Sequence, residues 1–130
     1  MINNNFEKKL KSKEFVFTAE TSPPDSTVRS EITDRVLCLK DLADAINVTD
    51  GASAKSHLSS LVVSSIIKDI EIEPILQLTT RDRNRIAIQS DLLGAWTLNI
   101  QNILCIYGDQ VETGDQPETK EVRDLDTLGV

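Results

Sequence analysis

Two cysteines, Cys38 and Cys105, and one histidine, His57, are all that the 130 residues hold of those types. Thiols so few and so far apart in sequence form neither a disulfide framework nor a zinc cluster. The lone imidazole has no evident partner with which to share a metal, so no metal site is expected. Basic side chains are also in short supply, with 14 Lys and Arg against 21 Asp and Glu and a net charge of −7. That balance, without a basic stripe, argues against nucleic acid or an anionic membrane as the main partner. No apolar run is longer than a strand, so no span is expected, and MINNNFEKKLKSKEF lacks the apolar core of a secretory signal. Neither GxGxxG nor a Walker A motif occurs, which removes a separate Rossmann or P-loop nucleotide site. A reducing, cytoplasmic setting is the expectation.

What remains is an ordinary globular composition, 39% hydrophobic and 27% charged, on a chain long enough for one domain with its own core. Four short apolar runs read as buried parallel strands: 14–20, 44–50, 73–80 and 102–109. Helical spacing fills the intervals. Ile32, Val36, Leu39 and Ala43 recur over 30–43. Leu58, Leu61, Val62, Ser65 and Ile66 recur over 54–69, and Ile86, Ile88, Leu92, Leu93 and Trp96 over 83–98, with Asp82 as the expected N-cap. The strands end at Glu20, Thr49, Thr79 and Gly108, at intervals of 29, 30 and 29 residues. Repeated β-α units with right-handed crossovers give that regularity and a parallel sheet.

Two architectures fit this order, a stretch of a (β/α) barrel and an open doubly wound sheet. Each strand ends in groups capable of chemistry: Glu20, Thr49 with Asp50, Gln77 to Thr80, and Gly108 with Asp109. A barrel brings all its strand C-termini to one mouth, whereas an open sheet gathers only those beside its switch point, so the pattern favours the barrel.

In FVFTAETSPP, 15–24, an apolar strand runs into Glu20 and is stopped by Pro23 and Pro24. A carboxylate so placed either donates a proton at a cavity mouth or pairs with a nearby cation. Gly108-Asp109 is either a cofactor-side turn or a plain one. Arg81, Arg83 and Arg85 at a helix start either hold an anion or form a solvated cap with local ion pairs. Cys38 and Cys105 are expected to be buried, inert thiols, and Trp96 to pack between helix and sheet.

The segments FVFTAETSPP, LADAINVTD, EPILQLTTRDRNRIAIQSDLLGAW and ILCIYGD, in this order and spacing, resemble methylenetetrahydrofolate reductase, with a likeness running from about Glu14 to the end. The resemblance implies a (β/α)8 TIM barrel holding FAD at the strand C-termini. It also implies reduction of 5,10-methylenetetrahydrofolate to 5-methyltetrahydrofolate with NAD(P)H as electron donor, a step of one-carbon and methionine metabolism. On the same basis Glu20 matches the general acid that protonates the bridging nitrogen. Thr49, Gln77, Tyr107, Gly108 and Asp109 fall at flavin-side positions, Asp109 facing the folate as well. Gln77 stands where many relatives carry histidine. Tyr107 stands where relatives carry Arg or Thr, so its ring either stacks or packs.

A complete barrel needs about 250 residues, and only β-α-β-α-β-α-β and a polar tail are present, about the first half. Residues 1–13 read as an N-terminal extension and 14–130 as a partial barrel domain. The expectation is a truncated fragment, one member of a split gene, or a half-barrel that pairs with itself. Truncation fits best, because DLDTLGV resembles residues that lead into the next helix. The alternative function is an incomplete half-barrel that binds a completing half or a second copy and is not catalytic alone.

Overall fold

The computed structural model describes residues 5–130; the first four residues of the expected N-terminal extension lie outside them. The elements run α1 (Asn5–Ser12), β1 (Thr18–Thr21), α2 (Arg29–Leu37), β2 (Ala45–Val48), α3 (Ser60–Asp69), β3 (Pro74–Thr79), α4 (Arg85–Thr97) and β4 (Asn102–Ile106). Short 3-10 turns follow β2 at Ala52–Ala54 and β4 at Val111–Thr113. The four strands form one parallel sheet in the order β1-β2-β3-β4.

Register and packing separate the two expected architectures. Ala19, Ile46, Val48, Leu76 and Ile103 share one face of the sheet through the pairings Ala19↔Ile46, Val48↔Leu76 and Leu76↔Ile103. Ile32 and Val36 of α2, Val63, Ile66 and Ile67 of α3, and Ala95 of α4 pack on that face. All three crossover helices therefore cover the same side. A doubly wound sheet would divide them between two faces. The sheet is singly wound and consistent with part of a TIM-type barrel, and its four strands do not close.

The opposite face carries Glu20, Asn47, Ile75, Gln77, Asn102, Leu104 and Ile106, the alternate residues of each strand. Strand C-termini lie together at one end of this face.

Several boundaries differ from those the periodicity predicts. Strand β1 begins at Thr18, because β2 starts only at Ala45 and offers nothing for residues 14–16 to pair with. Phe17 is instead tied to Asp44, its carbonyl accepting from the Asp44 N–H at 2.8 Å, and Phe15 stays exposed. Helix α2 stops at Leu37, where i→i−3 bonds tighten the chain and Asp41 turns left-handed at φ 67°. Cys38 is the exposed C-cap residue, not a buried thiol.

Helix α3 starts six residues late, because Gly51, Ser53 and Ala54 take left-handed φ of 59°, 58° and 53°. Its buried face is Ser60, Val63, Ser64, Ile66 and Ile67, turned by about one residue from the expected stripe. Asn84, not Asp82, caps α4, its Oδ1 accepting from the N–H groups of Ile86 and Ala87 at 3.1 and 3.0 Å. That helix buries Ile88 and Ala95 and leaves Ile86, Leu93 and Trp96 at 74, 72 and 70% exposure, so Trp96 does not pack against the sheet.

Candidate functional site

At the C-terminal ends of the strands, Glu20, Thr49, Asp50, Ala52, Gln77, Ile106, Gly108 and Asp109 line a cavity of about 380 Å³. Alternation explains how residues from four strands meet there. Glu20 and Gln77 point to the helix-free face, and Ile106 and Gly108 follow on the same parity from β4. Tyr107 falls between those two and is not among the lining residues. Its carbonyl accepts the Arg81 N–H at 3.2 Å while its ring is partly exposed. Five of the six residues singled out from the sequence, Glu20, Thr49, Gln77, Gly108 and Asp109, are brought to one rim.

Glu20 is exposed, because β1 is an edge strand and no helix covers this face. Its Oε2 accepts from Nε2 of Gln77 at 3.4 Å, a contact spanning β2. Gln77 is itself only 8% exposed. Thr49 Oγ1 and Ser22 Oγ lie 3.1 Å apart at the β1–β2 end.

Asp109 Oδ2 accepts from the Ser53 N–H at 2.6 Å. That bond joins the turn after β4 to the left-handed turn after β2. Gly108 has φ 97°, and a Cβ there would lie 2.5 Å from Thr79 Cγ2. The position therefore requires glycine for both backbone and space. Ile106 supplies an apolar floor that the sequence signals only through its i−2 relation to Gly108.

Asp50, also on the rim, is committed to the scaffold. Its Oδ2 accepts from the Thr79 N–H at 2.9 Å and from Arg83 Nη1 at 2.6 Å, and its Oδ1 from Ser60 Oγ at 3.1 Å. Burial opposes the charge on Arg83, but Asp50 and Asp91 outweigh it and hold the guanidinium above its ordinary value.

The three arginines of the LTTRDRNR stretch thus resolve into ion pairs: Arg81 with Asp82, Arg83 with Asp50 and Asp91, and Arg85 with Asp124. The Arg85 pair and the bond from the Val122 N–H to the Arg81 carbonyl draw the polar tail back against the turn between β3 and α4. His57 Nε2 lies 3.2 Å from the Ala52 carbonyl. Among the described residues no group of three or more His, Cys, Asp or Glu could hold a metal ion. Nor is any helix long and apolar enough to cross a membrane. Burial pushes the Cys105 thiol up, as suits an unreactive strand residue.

A larger cavity of about 760 Å³ lies at the opposite end, lined by α1 and the strand N-termini. Its three lysines are all paired: Lys9 with Asp44, Lys68 with Glu73 at 2.6 Å and Lys40 with Glu71 at 3.5 Å. Hydrogen bonds from Lys9 and from the Phe17 N–H hold the Asp44 carboxyl below its ordinary value. In (β/α) barrels, with part of which this sheet is consistent, active sites lie at the strand C-termini and the N-terminal end serves stability.

The cavity at the C-terminal mouth offers a planar ligand a small set of polar groups around an apolar floor. A family model described as Methylenetetrahydrofolate reductase matches residues 5–128, most of the chain. No curated protein matches it.

Proposed function

The chain belongs to the methylenetetrahydrofolate reductase family, and from that premise we propose that its C-terminal mouth binds the ring end of a flavin, FAD, beside a folate. The observation that carries this reading is the meeting of Glu20, Thr49, Gln77, Gly108 and Asp109 around one cavity. About 380 Å³ lies at the small end of the range of about 300–1,000 Å³ for ligand sites. It suits a fused-ring head whose remainder extends over the open rim. Gly108 gives the turn after β4 the left-handed conformation that keeps its backbone on the rim, and Thr49 and the Gln77 amide present hydroxyl and amide groups to ring heteroatoms. When bound, a flavin supplies hydride transfer between NAD(P)H and the one-carbon unit of 5,10-methylenetetrahydrofolate.

In this reading Glu20 holds the proton delivered to the folate nitrogen, and the Gln77 amide orients the carboxyl that delivers it. Asp109 accepts from the donor-rich edge of the pterin with the oxygen that Ser53 leaves available. The product is 5-methyltetrahydrofolate, and the setting cytoplasmic. Flavin titration of the purified chain, with Thr49→Ala and Gly108→Ala as controls, tests the binding half of the proposal.

A second reading rests on surface. The chain exposes 7883 Å², against about 6,800 Å² for a folded monomer of this mass. The excess of roughly 1,000 Å² compares with the ~800 Å² each partner gives to a standard interface. β1 and β4 are open edges, and Ile86, Leu93 and Trp96 form an apolar stripe on α4. These features support a half-barrel that docks a completing half, from a second copy or another chain, and has no complete chemistry alone. Sedimentation velocity across a concentration series distinguishes it from a self-sufficient monomer.

A further inference from the structure

Arg81 is 4% exposed, yet it stands at the point where three loops of the mouth converge. Its Nε and Nη2 donate to the two oxygens of Asp82, each at 2.7 Å, and its Nη1 donates to the Asp109 carbonyl at 2.7 Å. The hydrogen bond to Asp82 holds the guanidinium above its ordinary value against the opposing effect of burial, with Asp109 and Glu121 adding to it. Two glycines make room for it. A Cβ on Gly51 would lie 2.9 Å from Arg81 Nη2, and one on Gly108 would lie 3.3 Å from Arg81 Cβ and 3.4 Å from Nη1.

We propose that Arg81 is a positioning residue that binds no anion itself and fixes the Gly108–Asp109 turn, through which it sets the Asp109–Ser53 contact and the shape of the site. A guanidinium buried this deeply, with its charge already met by a two-point carboxylate pair, is a poor receptor for phosphate. What it does hold is the Asp109 main chain. With that fixed, the Asp109 carboxylate reaches the Ser53 N–H at 2.6 Å. Ser53 and Ala54 take left-handed conformations, which a surrounding contact must maintain. One buried side chain thereby couples the turns after β2, β3 and β4.

The inference rests on the flavin reading for its ligand, so the test has one arm that needs no ligand. Amide exchange at Ser53 is followed in the wild-type chain and in Arg81→Lys, which keeps the charge and loses the fork. Exchange at Ser53 is expected to rise by about tenfold or more, while the Thr79 amide, bonded to Asp50, is unchanged. In the second arm riboflavin, FMN and FAD are titrated by fluorescence. A positioning role lowers affinity for all three by the same factor, and Arg81→Lys causes no further loss in an Asp109→Asn background.

Unchanged exchange at Ser53, or a loss confined to the phosphorylated FMN and FAD, overturns the proposal in favour of a passive filler or a direct anion contact. Should the wild-type chain bind none of the three flavins, the flavin reading fails while the exchange arm still judges Arg81. If Arg81→Lys does not fold, Asp82→Asn removes the carboxylate charge that aims the guanidinium. It is expected to raise Ser53 exchange in the same direction by a smaller factor, and no rise there also overturns the proposal.

Discussion

The amide of Gln77 on β3 donates to the carboxylate of Glu20 on β1 across 3.4 Å, passing over the polar face of β2. Two side chains 57 positions apart in sequence thus form one unit at the strand ends. If Glu20 carries the proton, Glu20→Gln leaves flavin reduction by NAD(P)H intact. It lowers folate reduction by about 10²–10⁴-fold, the range for a general acid. Stopped-flow measurement of the two half-reactions, in whichever assembly is active, checks this. Equal loss in both would make Glu20 structural.

Gly108 has φ 97° and Thr79 Cγ2 within 2.5 Å of where a Cβ would stand. Gly108→Ala is expected to destabilise the chain by about 1–3 kcal/mol and to weaken flavin binding together with stability. Urea unfolding and flavin titration on the same preparation read both quantities.

Asp50 ties β2 to β3, to the start of α3 and to Arg83. Asp50→Ala leaves a largely buried guanidinium short of one partner, and the expected loss is about 3 kcal/mol. Asp91→Asn, which removes a more exposed partner of the same arginine, should cost clearly less by the same unfolding measurement.

Hydrogen bonds from the Arg85 side chain and N–H hold the Asp124 carboxyl at about 2, below its reference of 3.8. A depressed folded value means that the tail's attachment gains from this pair above pH 3.8 and loses the gain as pH falls through about 2. Protection of the Arg85 amide, relative to its intrinsic exchange rate at each pH, should therefore hold down to about pH 3.8 and fall away toward about 2. In Asp124→Asn that protection should be low and independent of pH over the same range.

Leu93 and Trp96 stand on the exposed stripe of α4. Leu93→Glu and Trp96→Glu are expected to change chain stability by no more than about 0.5 kcal/mol. If a completing half docks there, both substitutions shift a sedimentation profile toward monomer. A profile identical to wild type would place the partner elsewhere.

The apolar runs of the strands were legible because buried parallel strands leave dense Ile, Val and Leu. The spacing near thirty residues then announced β-α units. The polar residues at the strand C-termini carried the reading further, placing Glu20, Thr49 and Gln77 at one mouth. Helix limits were less legible. Residues 38–43 and 54–59 continue the helical rhythm in the sequence, but the left-handed turns at Asp41 and Ser53–Ala54 break it.

Trp96 and Cys38 were misplaced for a related reason: they stand on sides of α4 and of the end of α2 that no element among the described residues covers. Arg81 could not be interpreted from sequence, since a clamp and a strut use the same residue and only its partners tell them apart. The tail reads in the sequence only as a polar stretch, and its bonds to Arg81 and Arg85 lie across separations that no local pattern reveals.

Which cavity takes the flavin is the most direct question, and a 15N-resolved NMR titration of the chain with FAD answers it. The account expects shifts confined to the Gln77 side-chain amide and to the backbone of Thr49, Ser53, Gly108 and Asp109, saturating together. Shifts centred on Lys9, Asp44 and Lys68 at the other end of the sheet, or none at millimolar FAD, would contradict it.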